Sequence, residues 1–424
     1  MSAPSSLKSP DTGLPAPGRN DHVGHRRPRG VPQASHGLGF WFAAVSFAAL
    51  IAFGTAPTPL WPLYEARDGF GATTVTVAFA VIVIGTALGF LGLGHLSDRY
   101  GRRRIVVPAL AVAIAAALVL TFWTALPGLL VGRFLNGVGI GLMASTATTY
   151  LHDLYHQAHP DRPKSAVPGI VATSANLGGL ALGPLISGVI AQWVPNPLTT
   201  TQLGFAIAMT IALVLSLSTP ETVDRIKSSA TRPARFALRS GGRPAFISAL
   251  ALGFFSFALF GLVGSLGPLM LHSKLEISSL FIAGIASAMM YASATVAQLA
   301  LGKLSAGRLL AVGATVFPIG LGLVALSLYE PTLWIFLLAV SVAGAGAGIL
   351  FKGGVVKAVS VAAPASRAGV LAVYFVVGYL GMGLFPIVFS IIIKHLSMET
   401  TMIGFAAVLS VGAALSSAAG SRHH

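Results

Sequence analysis

The chain has 424 residues, of which 54% are hydrophobic and only 9% charged; mean hydropathy is +0.81 and 49 residues are glycine. A soluble domain carries about 25% charged residues, so this composition speaks against a soluble enzyme, and the +15 net charge sits in short loops and a tail rather than on a nucleic-acid-binding patch. No cysteine is present, which removes disulfides, thiolate metal sites and cysteine nucleophiles.

Residues 1–37 are rich in Pro, Ser, Gly, Arg and His and contain no apolar run, the composition of a disordered basic tail. They are not a secretory signal, because the polar stretch precedes the first apolar segment. Twelve apolar runs follow, each near the ~20 residues a helix needs to cross a bilayer: 38–62, 72–93, 105–123, 126–149, 167–190, 202–219, 245–271, 277–301, 308–328, 332–354, 367–393 and 400–419. They predict an all-α integral membrane protein with twelve transmembrane helices in two six-helix pseudo-symmetric bundles, 38–219 and 245–419. The polar, basic stretch 220–244 reads as a cytoplasmic linker between them, and 420–424 as a short cytoplasmic tail.

Orientation follows from the basic residues. With the N-terminus inside, nearly all Lys and Arg fall in inner loops and tails, while the outer side receives only Arg67, Lys274 and Lys394. This places both termini in the cytoplasm of a multi-pass plasma-membrane protein. An internal repeat supports two halves: "GHLSDRYGR" at Gly94 echoes "GKLSAGR" at Gly302, "GVGIG" at Gly137 echoes "GAGAG" at Gly344, and "LALGP" ending at Pro184 echoes "GMGLFP" ending at Pro386. All lie in the same order at an offset of roughly 200 residues, as in carriers built from duplicated halves.

The loop "GHLSDRYGRRR" resembles the signature between helices 2 and 3 of the major facilitator superfamily. "RFLNGVGIGL" from Arg133 is similar to its helix-4 motif, and "GGLALGPLISG", Gly178–Gly188, to the helix-5 motif of antiporter members. "PET" at Pro220–Thr222 resembles the usual end of the first half. The resemblance covers roughly 38–419 and implies a drug/proton antiporter-type carrier with no cofactor and no metal site. In the loop it implies a gating role for Gly94, Asp98, Arg99, Gly101, Arg102 and Arg103. Physically, Gly94 and Gly101 permit tight turns, and Asp98 is suited to pairing with an arginine or a helix N-terminus. The arginines equally enforce topology against anionic lipid.

Arg133 lies about 10 Å into the fourth span by helical rise. An arginine there is costly and usually faces the bundle interior or a cavity; the family reading makes it a coupling or substrate residue, and the alternative is a structural arginine bonded to carbonyls. Asn136 shares its helix face at i,i+3. Asn176, Tyr291, Gln298, Lys352, Tyr374 and Tyr379 complete the polar candidates for coupling or substrate contact, with snorkelling to the interface the simpler account of Lys352. Gly179, Gly183, Pro184 and Gly188 read as the helix-5 motif or as small-residue packing with a kink. None of the twelve acids lies deep in a span, which speaks against cationic cargo. The expected function is proton-coupled efflux of small apolar or drug-like compounds by a monomer in the lipid bilayer. The runner-up is metabolite uptake by the same fold; no enzymatic constellation and no nucleic-acid partner is implied.

Overall fold

The computed structural model describes residues 34–93, 97, 100–223 and 236–421. Twelve helices are long and apolar enough to cross a membrane: α1 His36–Asp68, α2 Ala72–Leu91, α3 Arg103–Phe122, α4 Leu126–Ala158, α5 Val167–Trp193, α6 Pro197–Ser218, α7 Arg243–Leu275, α8 Leu280–Ala300, α9 Ala306–Tyr329, α10 Leu333–Val361, α11 Arg367–Ile392 and α12 Met398–Gly420. Among the described residues there is no strand, only an isolated bridge between Leu238 and Ala362. Lipid cannot satisfy backbone N–H and C=O groups, and a helix satisfies them internally. The fold is therefore all-α, as the apolar runs predict.

Several helices outrun those runs. α4 continues past Thr149 to Ala158, carrying His152 and Asp153, and α10 continues to Val361. Hydropathy falls where polar side chains begin, but the hydrogen-bond ladder continues into the headgroup layer. α1 starts at His36, one residue after its N-cap Ser35, whose side chain accepts from Leu38 N. It then consists of His36–Thr55 and Trp61–Asp68 joined by a 3-10 turn at Thr58–Leu60. Pro57, Pro59 and Pro62 each remove a backbone donor there, so a straight helix cannot form. The expectation of disorder over residues 1–37 falls outside the described residues as far as 33, but its last two residues, His36 and Gly37, lie in the first turn of α1, which Ser35 caps.

Helix pairings repeat with a shift of six. α1 packs on α4, α5 and α6, as α7 packs on α10, α11 and α12; α4 packs on α2 and α3, as α10 packs on α8 and α9. The duplicated glycine runs take part in two close crossings among these. A Cβ on Gly89 of α2 would lie 2.7 Å from Gly141 Cα of α4, and a Cβ on Gly348 of α10 would lie 2.8 Å from Ala294 Cα of α8. Helices approach this closely only where a residue is small.

The two halves meet along α5–α8 and α2–α11. One end of the molecule carries the start of α1 and the arginines 102–104; we call it the basic face. The following hydrogen bonds between described residues of the two halves lie toward the opposite face. Trp61 Nε1 donates to Gly264 O at 3.3 Å, Thr76 Oγ1 and Ser390 Oγ are 3.1 Å apart, and Ser279 Oγ donates to Gln192 Oε1 at 3.0 Å. Nearer the basic face, Phe90 stacks on Phe375 with centroids 5.3 Å apart.

Candidate functional site

Arg133 sits in α4, which starts at Leu126 after a chain reversal with Pro127 in its first turn. The helix passes beside the broken segment of α1, and this places the guanidinium in the bundle interior, 1% exposed. Nη1 donates to Gly54 O at 3.0 Å, and one turn along α4 Asn136 Nδ2 donates to Phe53 O at 3.3 Å. Both acceptors lie just before the point where α1 breaks at its prolines. The Trp61 and Phe79 rings each lie 5.8 Å from Arg133 Cζ. These aromatics contribute cation–π attraction, about 1 kcal/mol each, but no countercharge. Arg133 Nε and Asn136 Oδ1 are enclosed and have no hydrogen-bond partner.

The second half closes this region. Tyr291 of α8 is fully buried, its ring 5.3 Å from Phe260 of α7, and its hydroxyl has no partner. A Cβ on Gly264 would lie 3.3 Å from the Phe79 ring and 3.4 Å from Tyr291 Oη, so these groups converge on one point of α7. Trp61 reaches that same residue through its bond to the Gly264 carbonyl. Two helices of the first half and two of the second thus meet around Arg133. A neighbouring polar pair, Gln202 Nε2 with Tyr64 Oη at 3.5 Å, lies between α6 and α1.

The remaining candidates form a second group. Lys352 Nζ donates to Gln298 O at 2.5 Å, while Gln298 Nε2 is buried without a partner. Tyr374 is fully buried, donates to Phe351 O at 2.8 Å and rests against Gly253 and Gly354. Tyr379 is half-buried, its ring 5.2 Å from Phe257 and 6.2 Å from Phe90. Asn176 stands apart on α5, half-buried. Among the described residues no cluster of three or more His, Asp or Glu side chains is placed to hold a metal.

At the basic face Gly94, Asp98 and Arg99 lie outside the described residues, whereas Gly101, Arg102 and Arg103 enter a compact network. The Glu221 carboxylate accepts from Arg102 N at 2.7 Å and from Arg103 N at 3.1 Å, and so caps the start of α3. Gly101 has φ +110°, and a Cβ there would run into that carboxylate. Arg102 Nε is 3.3 Å from Asp153 Oδ2, and Arg103 Nη1 donates to Thr219 O at 3.0 Å. Tyr150 Oη donates to Pro220 O at 2.6 Å. Glu221 and Asp153 are absent from the sequence-derived set of gating residues. The available signal was an acidic residue following an apolar span in a chain whose loops are arginine-rich.

The helix-5 glycines line two contacts. A Cβ on Gly179 would lie 2.8 Å from Ala48 O of α1, Gly183 abuts Ala52 O and Thr55, and a Cβ on Gly188 would lie 3.2 Å from Gly284 Cα of α8. Pro184 is inside α5, and Thr55 Oγ1 donates to Leu180 O at 3.0 Å. Between α5 and α8 lies a crevice of about 530 Å³ lined by Ala48, Gly178, Leu182, Ile285 and Met289 among others, with no charged side chain.

The model of the Major Facilitator Superfamily matches residues 38–386. The chain belongs to that superfamily. The superfamily match takes in the basic-face loop, Arg133, the α5 motif and Pro220–Thr222, and ends inside α11. Curated relatives are similar over part of the chain. Inner membrane transport protein YnfM of Escherichia coli is 28% identical over 42% of this chain and 42% of its own length. The 4-hydroxybenzoate transporter PcaK of Pseudomonas putida is 30% identical over 38% and 35%, and the bacillibactin exporter of Bacillus subtilis 28% identical over 32% and 34%. The matched region therefore spans under half of each relative. Among solved structures, a POT family transporter in complex with 5-aminolevulinic acid superposes with a TM-score of 0.71 over 91% of this chain and 97% of that one, at 16% identity. That likeness establishes the fold. The family and its structural neighbours are transporters.

Proposed function

We propose that this superfamily member is a plasma-membrane secondary carrier that exports small, largely apolar organic solutes by alternating access, in exchange for protons. The observation that carries the alternating-access part is the set of hydrogen bonds that join described residues of the two halves near one face. Hydrogen bonds between the halves, Trp61 to Gly264, Thr76 to Ser390 and Ser279 to Gln192, lie toward the face opposite the basic loops. Excess Lys and Arg marks the cytoplasmic side, so on this reading the seal is external and the carrier rests closed to the outside. Breaking those few bonds while forming contacts at the basic face would expose the Arg133 region to the other side.

Export is supported by the α5 motif and by the exporter among the relatives. Uptake is the second reading, supported by the 4-hydroxybenzoate transporter and by the lack of a carboxylate deep in any span. The discriminating experiment is a compound-sensitivity panel on a host lacking and then expressing the protein, with and without an uncoupler. Export predicts raised tolerance to a subset of compounds, abolished by the uncoupler. Unchanged tolerance together with faster accumulation of a solute would establish uptake instead. Within the same assay Asp98→Asn, a sequence-derived gating residue, is expected to insert normally and lose most turnover.

A further inference from the structure

We infer that the region around Arg133 is a recognition site for an organic carboxylate with a planar apolar body, the carboxylate seated on the guanidinium where the halves meet. The inference rests on the carrier reading above and names its class of cargo. A guanidinium offers five N–H donors in a fork matched to a carboxylate. Arg133 uses one of its nitrogens, Nη1, on the neutral Gly54 carbonyl, and its enclosed Nε is unpartnered. The ion pairs among the described residues involve Arg67, Arg102, His152, Arg162 and Lys274, and none reaches Arg133. Arg133 is thus a buried cation, 1% exposed, with no counter-ion among the described residues. Buried charges are ordinarily paired, and intramembrane ionisable groups characteristically mark substrate or ion paths.

The surroundings specify the rest of the cargo. Asn136 Oδ1 and Tyr291 Oη are both enclosed and unpartnered. They come from opposite halves, and the tyrosine hydroxyl can donate to a carboxylate oxygen while the amide oxygen can accept from a cargo hydroxyl or amide. Trp61 and Phe79 flank the guanidinium, and Phe260 backs Tyr291. Such aromatic walls suit a flat apolar body stacked or edge-on. A cationic cargo would meet Arg133 with no acid to offset it, and a neutral one would leave the guanidinium unpaired. Because the contacting groups span both halves, a seated carboxylate also links cargo binding to the junction that must rearrange.

The test uses purified full-length protein and three shape-matched probes, 2-naphthoate, 2-naphthamide and 2-naphthylmethylammonium. Binding is followed by equilibrium dialysis and thermal shift, and exchange by counterflow in proteoliposomes. Unaltered protein is expected to bind naphthoate saturably and at least about tenfold tighter than the other two. Arg133→Lys should retain part of that preference and Arg133→Gln should erase it. Equal or tighter binding of the amide or the ammonium probe, binding of none of the three, or a folded Arg133→Gln protein that still prefers naphthoate would each overturn the assignment. The probe comparison on unaltered protein stands even where a variant does not fold. Selective naphthoate binding without counterflow would support the site and count against the carrier reading. Counterflow of the amide or ammonium probe without carboxylate preference would do the reverse.

Discussion

Glu221 illustrates how much a single carboxylate can organise. It caps α3 through two backbone amides, fills the space that only a glycine at position 101 leaves, and joins the end of α6 to the arginine loop. Glu221→Gln keeps the shape but removes the charge at a helix N-terminus, and should cost about 1–2 kcal/mol, read as a lower melting temperature in detergent. Gly101→Ala should be at least as damaging, because φ +110° excludes a Cβ and the carboxylate occupies its place; reduced yield of folded monomer in gel filtration would show it. Arg133 was legible from sequence because a charge inside an apolar run has no trivial explanation. Trp61 was not: an aromatic near a span end is commonplace, and its packing against Arg133 depends on how α1 breaks.

Among the elements, α5 bears on both functions of the fold. Its Gly179 and Gly183 dock on α1 within one half, and Gly188 meets Gly284 of α8 across the junction. The motif's spacing was visible in sequence, but which glycine serves which neighbour was not, since that depends on helix rotation. Gly284→Leu would force a side chain into Pro184 and Gly188 of α5. Overpacking of this kind costs about 2 kcal/mol, a shift of roughly 30-fold away from the sealed state. The check is a Ser265→Cys reporter, buried in the parent fold. Its reaction with a membrane-impermeant maleimide should speed up when Gly284→Leu is added, and an unchanged rate would mean the seal does not depend on this crossing. The natural chain has no cysteine, so the reporter is unique.

For the molecule as a whole, the same lack of cysteine makes the junction directly testable. Thr76 and Ser390 meet across the halves with their hydroxyls 3.1 Å apart. The double variant Thr76→Cys with Ser390→Cys should cross-link on mild oxidation, abolish transport, and recover it on reduction; a cross-linked protein that still turns over would exclude the rocking of one half against the other. Orientation has its own test. Arg162→Cys, in the loop after α4, should be shielded from an impermeant label in intact cells, whereas Asn196→Cys, between α5 and α6, should react. The reverse pattern would invert the proposed topology and with it the reading of the seal as external.

The sequence by itself determined the solvent, the number of spans and the duplication. A bilayer imposes a length and an apolar composition on every crossing helix, and those are local properties that survive in one dimension. It also singled out Arg133, the arginine loop and the glycine runs, because each departs from the local pattern. Only the tertiary structure decided what these residues face. Hydrogen bonds between described residues of the two halves gather toward one face, Glu221 rather than another loop residue caps α3, and aromatic side chains from four helices lie about a cation with no counter-ion among the described residues. Such contacts join residues far apart in the chain, and they depend on helix rotation and on the break in α1, which hydropathy does not encode.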